Sequence, residues 1–129
     1  MTKTKVILIV DDDPISLKLA RDVLQANGYL TIEASNGKQA LELAKANKPA
    51  LILMDIRMPV MDGLEATRYL KKDATTRDIP TIALTASAMK HDEEGMRQAG
   101  CDGYLTKPLD IQQLLKEIAK YLPREINHE

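Results

Sequence analysis

Two unbroken apolar runs, Val6–Val10 (VILIV) and Leu51–Met54 (LILM), constrain the fold of this chain more than any other feature. Neither carries a helical period, and an apolar run this short without alternation is what a strand covered on both faces requires. Helices on each side of a sheet imply parallel strands joined by crossovers. Both runs stop at acids, the first at Asp11-Asp12-Asp13 and the second at Asp55. An open parallel sheet binds ligands at the carboxyl ends of its strands, so a lone acid in that place is a candidate reactive group. Aspartate is more commonly a helix N-cap or loop residue, and within LILMDIRMPVMDG taken alone the two roles for Asp55 stand level. Pro59 excludes a helix continuing from Asp55, and Asp62-Gly63 punctuates the loop before helical spacing resumes at Leu64.

The remaining elements follow in order. Asp13-Pro14 is an N-cap followed by proline at the first helical position, and Ile15, Leu19, Val23 and Leu24 keep helical spacing up to Asn27-Gly28. Leu30, Ile32 and Ala34 alternate with Thr31 and Glu33, the pattern of an edge strand with one wetter face. Asn36-Gly37 turns into a helix that carries Ala40, Leu41 and Ala44 inward and stops before Pro49. A third helix is expected from Leu64 to about Asp73, with Leu64, Thr67 and Leu70 on one face. After a polar loop, Pro80 opens a strand from Thr81 to Thr85. Ser87–Ala99 reads as a helix with only Met89 and Met96 as large inward residues, hence the least firmly packed. Gly103–Thr106 is a short last strand before Lys107-Pro108, a bond for which sequence alone favours trans. Asp110 with Gln113 starts the clearest amphipathic helix, on Ile111, Leu114, Leu115, Ile118 and Leu122, which Pro123 stops. Five strands alternating with five helices make an α/β doubly wound parallel sheet. Periodicity leaves the strand order open.

A length of 129 residues fits one domain, 1–129, with a core over about 5–122 and a frayed tail at 123–129. The net charge of -1 and the presence of tyrosine alone among the aromatic residues argue against nucleic acid as a partner. A single cysteine, Cys101, forms no internal disulfide and fits a reducing compartment as a buried, inert thiol. Val6–Val10 is too short to span a bilayer and nothing resembles a signal peptide, so no membrane association and a cytoplasmic location are expected.

In a parallel sheet Asp11, Asp12, Asp55, Thr85 and Lys107 all follow strand ends and gather on the carboxyl edge. Two like charges about 4 Å apart cost roughly 4 kcal/mol at an effective dielectric of about 20, so three carboxylates there need a cation. A few hard oxygen ligands with room for water and phosphate oxygens suit Mg²⁺. Lys107 adds a point charge for an anion and Thr85 a hydroxyl, which together describe a carboxylate that takes up a phosphoryl group. Taken singly, Lys107 is an ordinary solvated lysine and Thr85 an ordinary strand threonine; their joint placement carries the inference. Asp13 is read as a cap only, and His91 and His128 as surface residues. Met58 and Met61 are too loosely placed for a cofactor site.

VILIVDDDP, LILMDIRMPVMDG, IALTASAM and GYLTKP, in this order and spacing, resemble the CheY-like receiver domain of bacterial two-component response regulators, over about Val6 to Leu122. The length is similar to that of stand-alone receivers, and segments such as NKPALILMD also resemble receiver modules of hybrid histidine kinases. The resemblance implies a flavodoxin-like fold with strand order 2-1-3-4-5 and a cis Lys107-Pro108 bond. It further implies Asp55 as phosphoacceptor, Mg²⁺ held by Asp11, Asp12, Asp55 and the Arg57 carbonyl, phosphoryl contacts from Thr85 and Lys107, and Tyr104 as a switch aromatic paired with Thr85. Its implied partners are a histidine kinase or histidine phosphotransfer protein, and a downstream protein on the face formed by Ser87–Ala99 and Ile111–Leu122. A monomer or a phosphorylation-linked dimer is expected, acting as a switch and not as an enzyme.

Three other functions share parts of this pattern. An FMN carrier needs a phosphate-cradling loop where Asp11–Asp13 would repel phosphate. A phosphatase using Asp55 as nucleophile is expected to have a second acid where Arg57 stands. A non-phosphorylated interaction domain usually lacks one of the acids, the threonine or the lysine, all present here. Met1 close to the first strand and the short tail favour a free-standing protein over an excised module.

Overall fold

Strands β1 (Val6–Val10), β2 (Leu30–Ala34), β3 (Leu51–Asp55), β4 (Thr81–Thr85) and β5 (Gly103–Thr106) pair in parallel in the order 2-1-3-4-5. Helices α1 (Pro14–Ala26), α2 (Gly37–Asn47), α3 (Gly63–Lys72), α4 (Lys90–Ala99) and α5 (Ile111–Tyr121) alternate with them. The computed structural model describes residues 5–122 except Pro59 and Ala88. The expectations placed on Pro59, Pro123, the 123–129 tail and His128 lie outside the described residues.

The two apolar runs form the middle of the sheet because their side chains alternate between two covered faces. Ile7, Ile9, Leu51 and Leu53 pack with Leu24 of α1 and with Leu114 and Ile118 of α5. Leu8, Val10, Ile52 and Met54 pack on the other side with Ala40 and Ala44 of α2 and with Ala66 and Leu70 of α3. Alternation thus puts apolar residues at every position of a central strand, while β2, on the edge, keeps an exposed or half-buried Leu30 to Glu33.

Caps fix where the helices begin. Asp13 accepts from Ile15 N at 3.0 Å and Asp110 from Gln113 N at 3.0 Å, each the expected N-cap. Asp62 caps α3 by accepting from Glu65 N at 2.8 Å, so that helix starts one residue earlier than expected, and its buried face is Gly63, Ala66, Thr67 and Leu70. Leu64 is half-buried.

The helix expected from Ser87 begins instead at Lys90. Ser87 is held by Thr85 in a turn, and Met89 stands at the N-cap in extended backbone with no side-chain cap. Met89 is consequently 61% exposed and does not point inward, while Met96 and Ala99 are buried. Ile15 (79% exposed) and Ile111 (49%) also depart from the expected apolar faces. Both lie in the first turn of a helix that starts beyond the carboxyl edge, where no strand remains to cover them. Cys101 is half-buried and free, and burial pushes its thiol pKa up, which keeps it in the unreactive thiol form.

Candidate functional site

The ends of β1, β3 and β5 deliver four charged side chains to one place. Asp11 directly follows β1, donates its N–H to Ala34 O at 3.0 Å, and is 1% exposed. Its Oδ1 accepts from Asp13 N at 2.9 Å. Asp55 is the last residue of β3 and 5% exposed, and its Oδ1 accepts from Arg57 N at 3.1 Å. Carboxylate oxygens of Asp11, Asp12 and Asp55, one from each, lie within 4.8 Å of one another. Lys107, just past β5, donates from Nζ to Asp55 Oδ2 at 3.1 Å and forms an ion pair with Asp11 Oδ2 at 3.0 Å. The Lys107-Pro108 bond preceding α5 is cis.

These neighbours act on the charges. Burial pushes the Asp55 carboxyl up to about 6, with Asp11 adding to the rise and the Arg57 N–H and Lys107 opposing it. Burial works against the Lys107 ammonium too, but Asp11 and Asp55 more than offset it and hold its pKa above the usual lysine range. One lysine does not satisfy the cluster: Asp11 Oδ2 is buried and, despite the nearby Nζ, accepts no aligned hydrogen bond among the described residues. A buried carboxylate oxygen without an aligned hydrogen bond, in a group of three acids offering hard oxygen ligands, fits a divalent cation such as Mg²⁺.

Asp12 differs from Asp11 and Asp55 in being exposed, and the adjacent cap is Asp13. Asp12→Ala is therefore expected to leave thermal stability in chelator within about 0.5 kcal/mol of the parent. Millimolar Mg²⁺ is expected to raise the parent's melting temperature and the variant's much less, because a ligand stabilises only the state that binds it. Melting curves of both proteins with and without the ion check this.

The structure places the other expected residues around this centre in different ways. Arg57 meets it through its backbone N–H, with its side chain exposed. Thr85 is buried, and its hydroxyl donates to Ser87 O at 2.8 Å and accepts from Ser87 N at 3.1 Å, engaged with the β4–α4 turn. Tyr104 is 36% exposed and donates its hydroxyl to Glu93 Oε2 at 2.9 Å, a bond that raises the phenol pKa. Met58 and Met61 pack against the core on the α2–α3 side, which accounts for them without a cofactor.

Two supporting residues were hidden in what the sequence shows only as loop punctuation. A Cβ on Gly63 would sit 2.1 Å from Asp55 O and 2.8 Å from Ile56 Cα, and the Gly63 N–H donates to Ile56 O at 3.2 Å. A Cβ on Gly37 would sit 2.6 Å from Met61 O, which the Gly37 N–H meets at 3.1 Å. The start of α3 thus rests directly on the backbone of the acid-bearing strand end. The signals were the Asp62-Gly63 and Asn36-Gly37 pairs themselves, each a cap followed by a residue without Cβ.

Residues 7–119 match the family model described as response regulator receiver domain. The polar-differentiation response regulator DivK of Brucella anthropi is 48% identical over 118 residues, 92% of this chain and 96% of that protein. DivK of Brucella ovis is also 48% identical, over 92% of this chain and 97% of that protein. The receiver domain of a Pseudomonas aeruginosa sensor histidine kinase, solved with a magnesium ion coordinated in its active site cleft, superposes with a TM-score of 0.87 at 34% identity, covering 95% of this chain and 100% of that one. A chemotaxis protein of Vibrio cholerae gives 0.88 at 27% identity, over 92% and 99%.

Proposed function

Because the chain belongs to the response regulator receiver domain family, we propose that Asp55 accepts a phosphoryl group from the phosphohistidine of a histidine kinase or histidine phosphotransfer protein. The observation that carries this is Asp55 itself: a buried carboxylate at the end of β3, with an ammonium 3.1 Å away and two further acids beside it. In the transfer an Asp55 oxygen attacks phosphorus, the phosphorus–nitrogen bond breaks, and the departing imidazole nitrogen keeps the electron pair and takes a proton. Asp11, Asp12, Asp55 and the Arg57 carbonyl would hold Mg²⁺, which supplies positive charge against the carboxylates and the incoming phosphate. Lys107 exchanges its contact with Asp55 for a phosphoryl oxygen, and the Arg57 N–H keeps the acceptor carboxylate in place.

The same residues support a switch. A phosphoryl group adds roughly -1.5 to -2 charges at Asp55 and draws the Thr85 hydroxyl away from Ser87. Tyr104 then turns into the space that Thr85 leaves, and the face formed by α4, β5 and α5 presents a different surface to a downstream protein. A gap of a few kcal/mol between two such arrangements is enough for population shift without refolding. The chain, acting as one domain in the cytoplasm, is on this account a signalling module and not an enzyme. It works as a monomer or a phosphorylation-linked dimer, without touching nucleic acid or membrane. No helix among the described residues is long and apolar enough to cross a membrane.

Purified protein with Mg²⁺ and acetyl phosphate is expected to gain one phosphoryl group by intact-mass measurement, and none once Mg²⁺ is chelated. Equal labelling in chelator would overturn the metal's role, and steady turnover of a chromogenic phosphate ester would identify a phosphatase instead.

A further inference from the structure

Two acids in the first turn of α4 have no part in phosphoryl transfer, yet one holds the switch residue Tyr104 directly and the other holds Ser87, the partner of the switch residue Thr85. Ser87 Oγ donates to Asp92 Oδ2 at 2.8 Å, and the same Ser87 engages the Thr85 hydroxyl through both its carbonyl and its N–H. Glu93 Oε2 accepts from the Tyr104 hydroxyl at 2.9 Å. Consecutive helical residues point about 100° apart, so one turn of α4 reaches the β4–α4 loop with Asp92 and β5 with Glu93. The N-cap of α4, Met89, has no capping side chain, and Ser87 Oγ ties loop to helix by donating to Asp92 and accepting from Met89 N at 3.4 Å.

We propose that Asp92 and Glu93 are positioning residues forming a double latch that holds Thr85 toward Ser87 and Tyr104 outward in the unphosphorylated protein. The latch rests on the reading of Asp55 as phosphoacceptor, since it sets how much of the population is ready for the phosphoryl group. For Thr85 to turn toward Asp55 it must leave Ser87, and Asp92 fixes where Ser87 stands. For Tyr104 to turn inward its hydroxyl must leave Glu93. Both bonds end on carboxylates, which makes them stronger than bonds between neutral groups. Apparent affinity for a ligand of the active arrangement scales with the fraction already in it, so releasing one bond is expected to tighten binding of a phosphoryl mimic about fivefold.

The test is calorimetric titration of beryllofluoride into the full chain at saturating Mg²⁺. Asp92→Ala and Glu93→Ala are each expected to bind about fivefold tighter than the parent. Asp92→Asn and Glu93→Gln should fall between the parent and the alanine variants, because an amide oxygen still accepts the hydroxyl but without the carboxylate's charge. Tyr104→Phe, which leaves α4 untouched, should tighten binding like Glu93→Ala, and adding Glu93→Ala to it should give no further gain. Without beryllofluoride, amide exchange at Ser87 should quicken more in Asp92→Ala than in Asp92→Asn. Unchanged or weaker binding by both alanine variants would overturn the latch, as would amide variants that behave like the alanine ones. If the parent bound no beryllofluoride, or bound it no better than Asp55→Asn, the assignment of Asp55 would fail and the latch with it.

Discussion

Gly63→Ala is expected to cost about 3 kcal/mol of stability, lowering the melting temperature by roughly 10 °C. The added Cβ would lie 2.1 Å from the Asp55 carbonyl oxygen and 2.8 Å from Ile56 Cα, both backbone atoms that no rotamer change can move aside. Either α3 retreats from the strand end or the strand end yields. In the second case the Asp55 carboxylate loses its placement beside Asp11 and Lys107, so Mg²⁺ should stabilise the surviving folded protein less than it stabilises the parent. Thermal melts with and without Mg²⁺ measure both effects. A Gly103→Ala control meets only the flexible ends of Glu117 and Tyr121 and should cost far less. Equal costs at the two glycines would contradict a rigid seat for α3.

Asp55→Asn is expected to stabilise the metal-free protein at pH 7.5, by about 2 kcal/mol. Burial raises the Asp55 pKa from 3.8 to about 6 in the folded chain. Between those values the unfolded chain has released its proton while the folded one still holds it, so folding stability falls as pH rises through that window. The loss is complete above pH 6 and is on the order of a few kcal/mol. Asparagine removes this loss, less a part returned because Lys107 keeps Asp11 as its only carboxylate partner. Denaturant titrations in chelator should therefore show the variant ahead at pH 7.5 and the two proteins converging near pH 4. A less stable variant at pH 7.5 would mean that the Lys107 pair outweighs the burial of Asp55.

Much of this arrangement was legible in the chain, for physical reasons that differ from part to part. VILIV and LILM specify central strands because only a doubly covered strand tolerates apolar residues at every position. Asp13-Pro14 and Asp110 name helix starts through a local bond that needs no tertiary context. Asp11, Asp12, Asp55 and Lys107 converge because every parallel strand ends on the same edge, and the structure brings these four together. The strand order and the cis bond came through family resemblance, since periodicity carries neither.

What escaped depends on how far each element extends beyond its neighbours. Ile15 and Ile111 keep helical spacing with the buried residues of their helices, but spacing cannot tell where the sheet beneath them stops. Ser87 carries helix-compatible residues after it, yet its bonds to Thr85 and Asp92 make a turn and delay the helix to Lys90. The direction of a hydroxyl is likewise absent from a sequence. Thr85 ends β4 as expected, but only side-chain geometry shows it engaged with Ser87, and Tyr104 with Glu93.

The identity of the acceptor can be read directly by borohydride trapping, which reduces an aspartyl phosphate to homoserine. The protein, phosphorylated with acetyl phosphate and Mg²⁺, would be reduced, digested and mapped by peptide mass. Homoserine at position 55, with aspartate intact at 11 and 12, is the predicted result. Homoserine at Asp11 or Asp12 instead, or phosphoryl incorporation that leaves Asp55 unreduced, would contradict it.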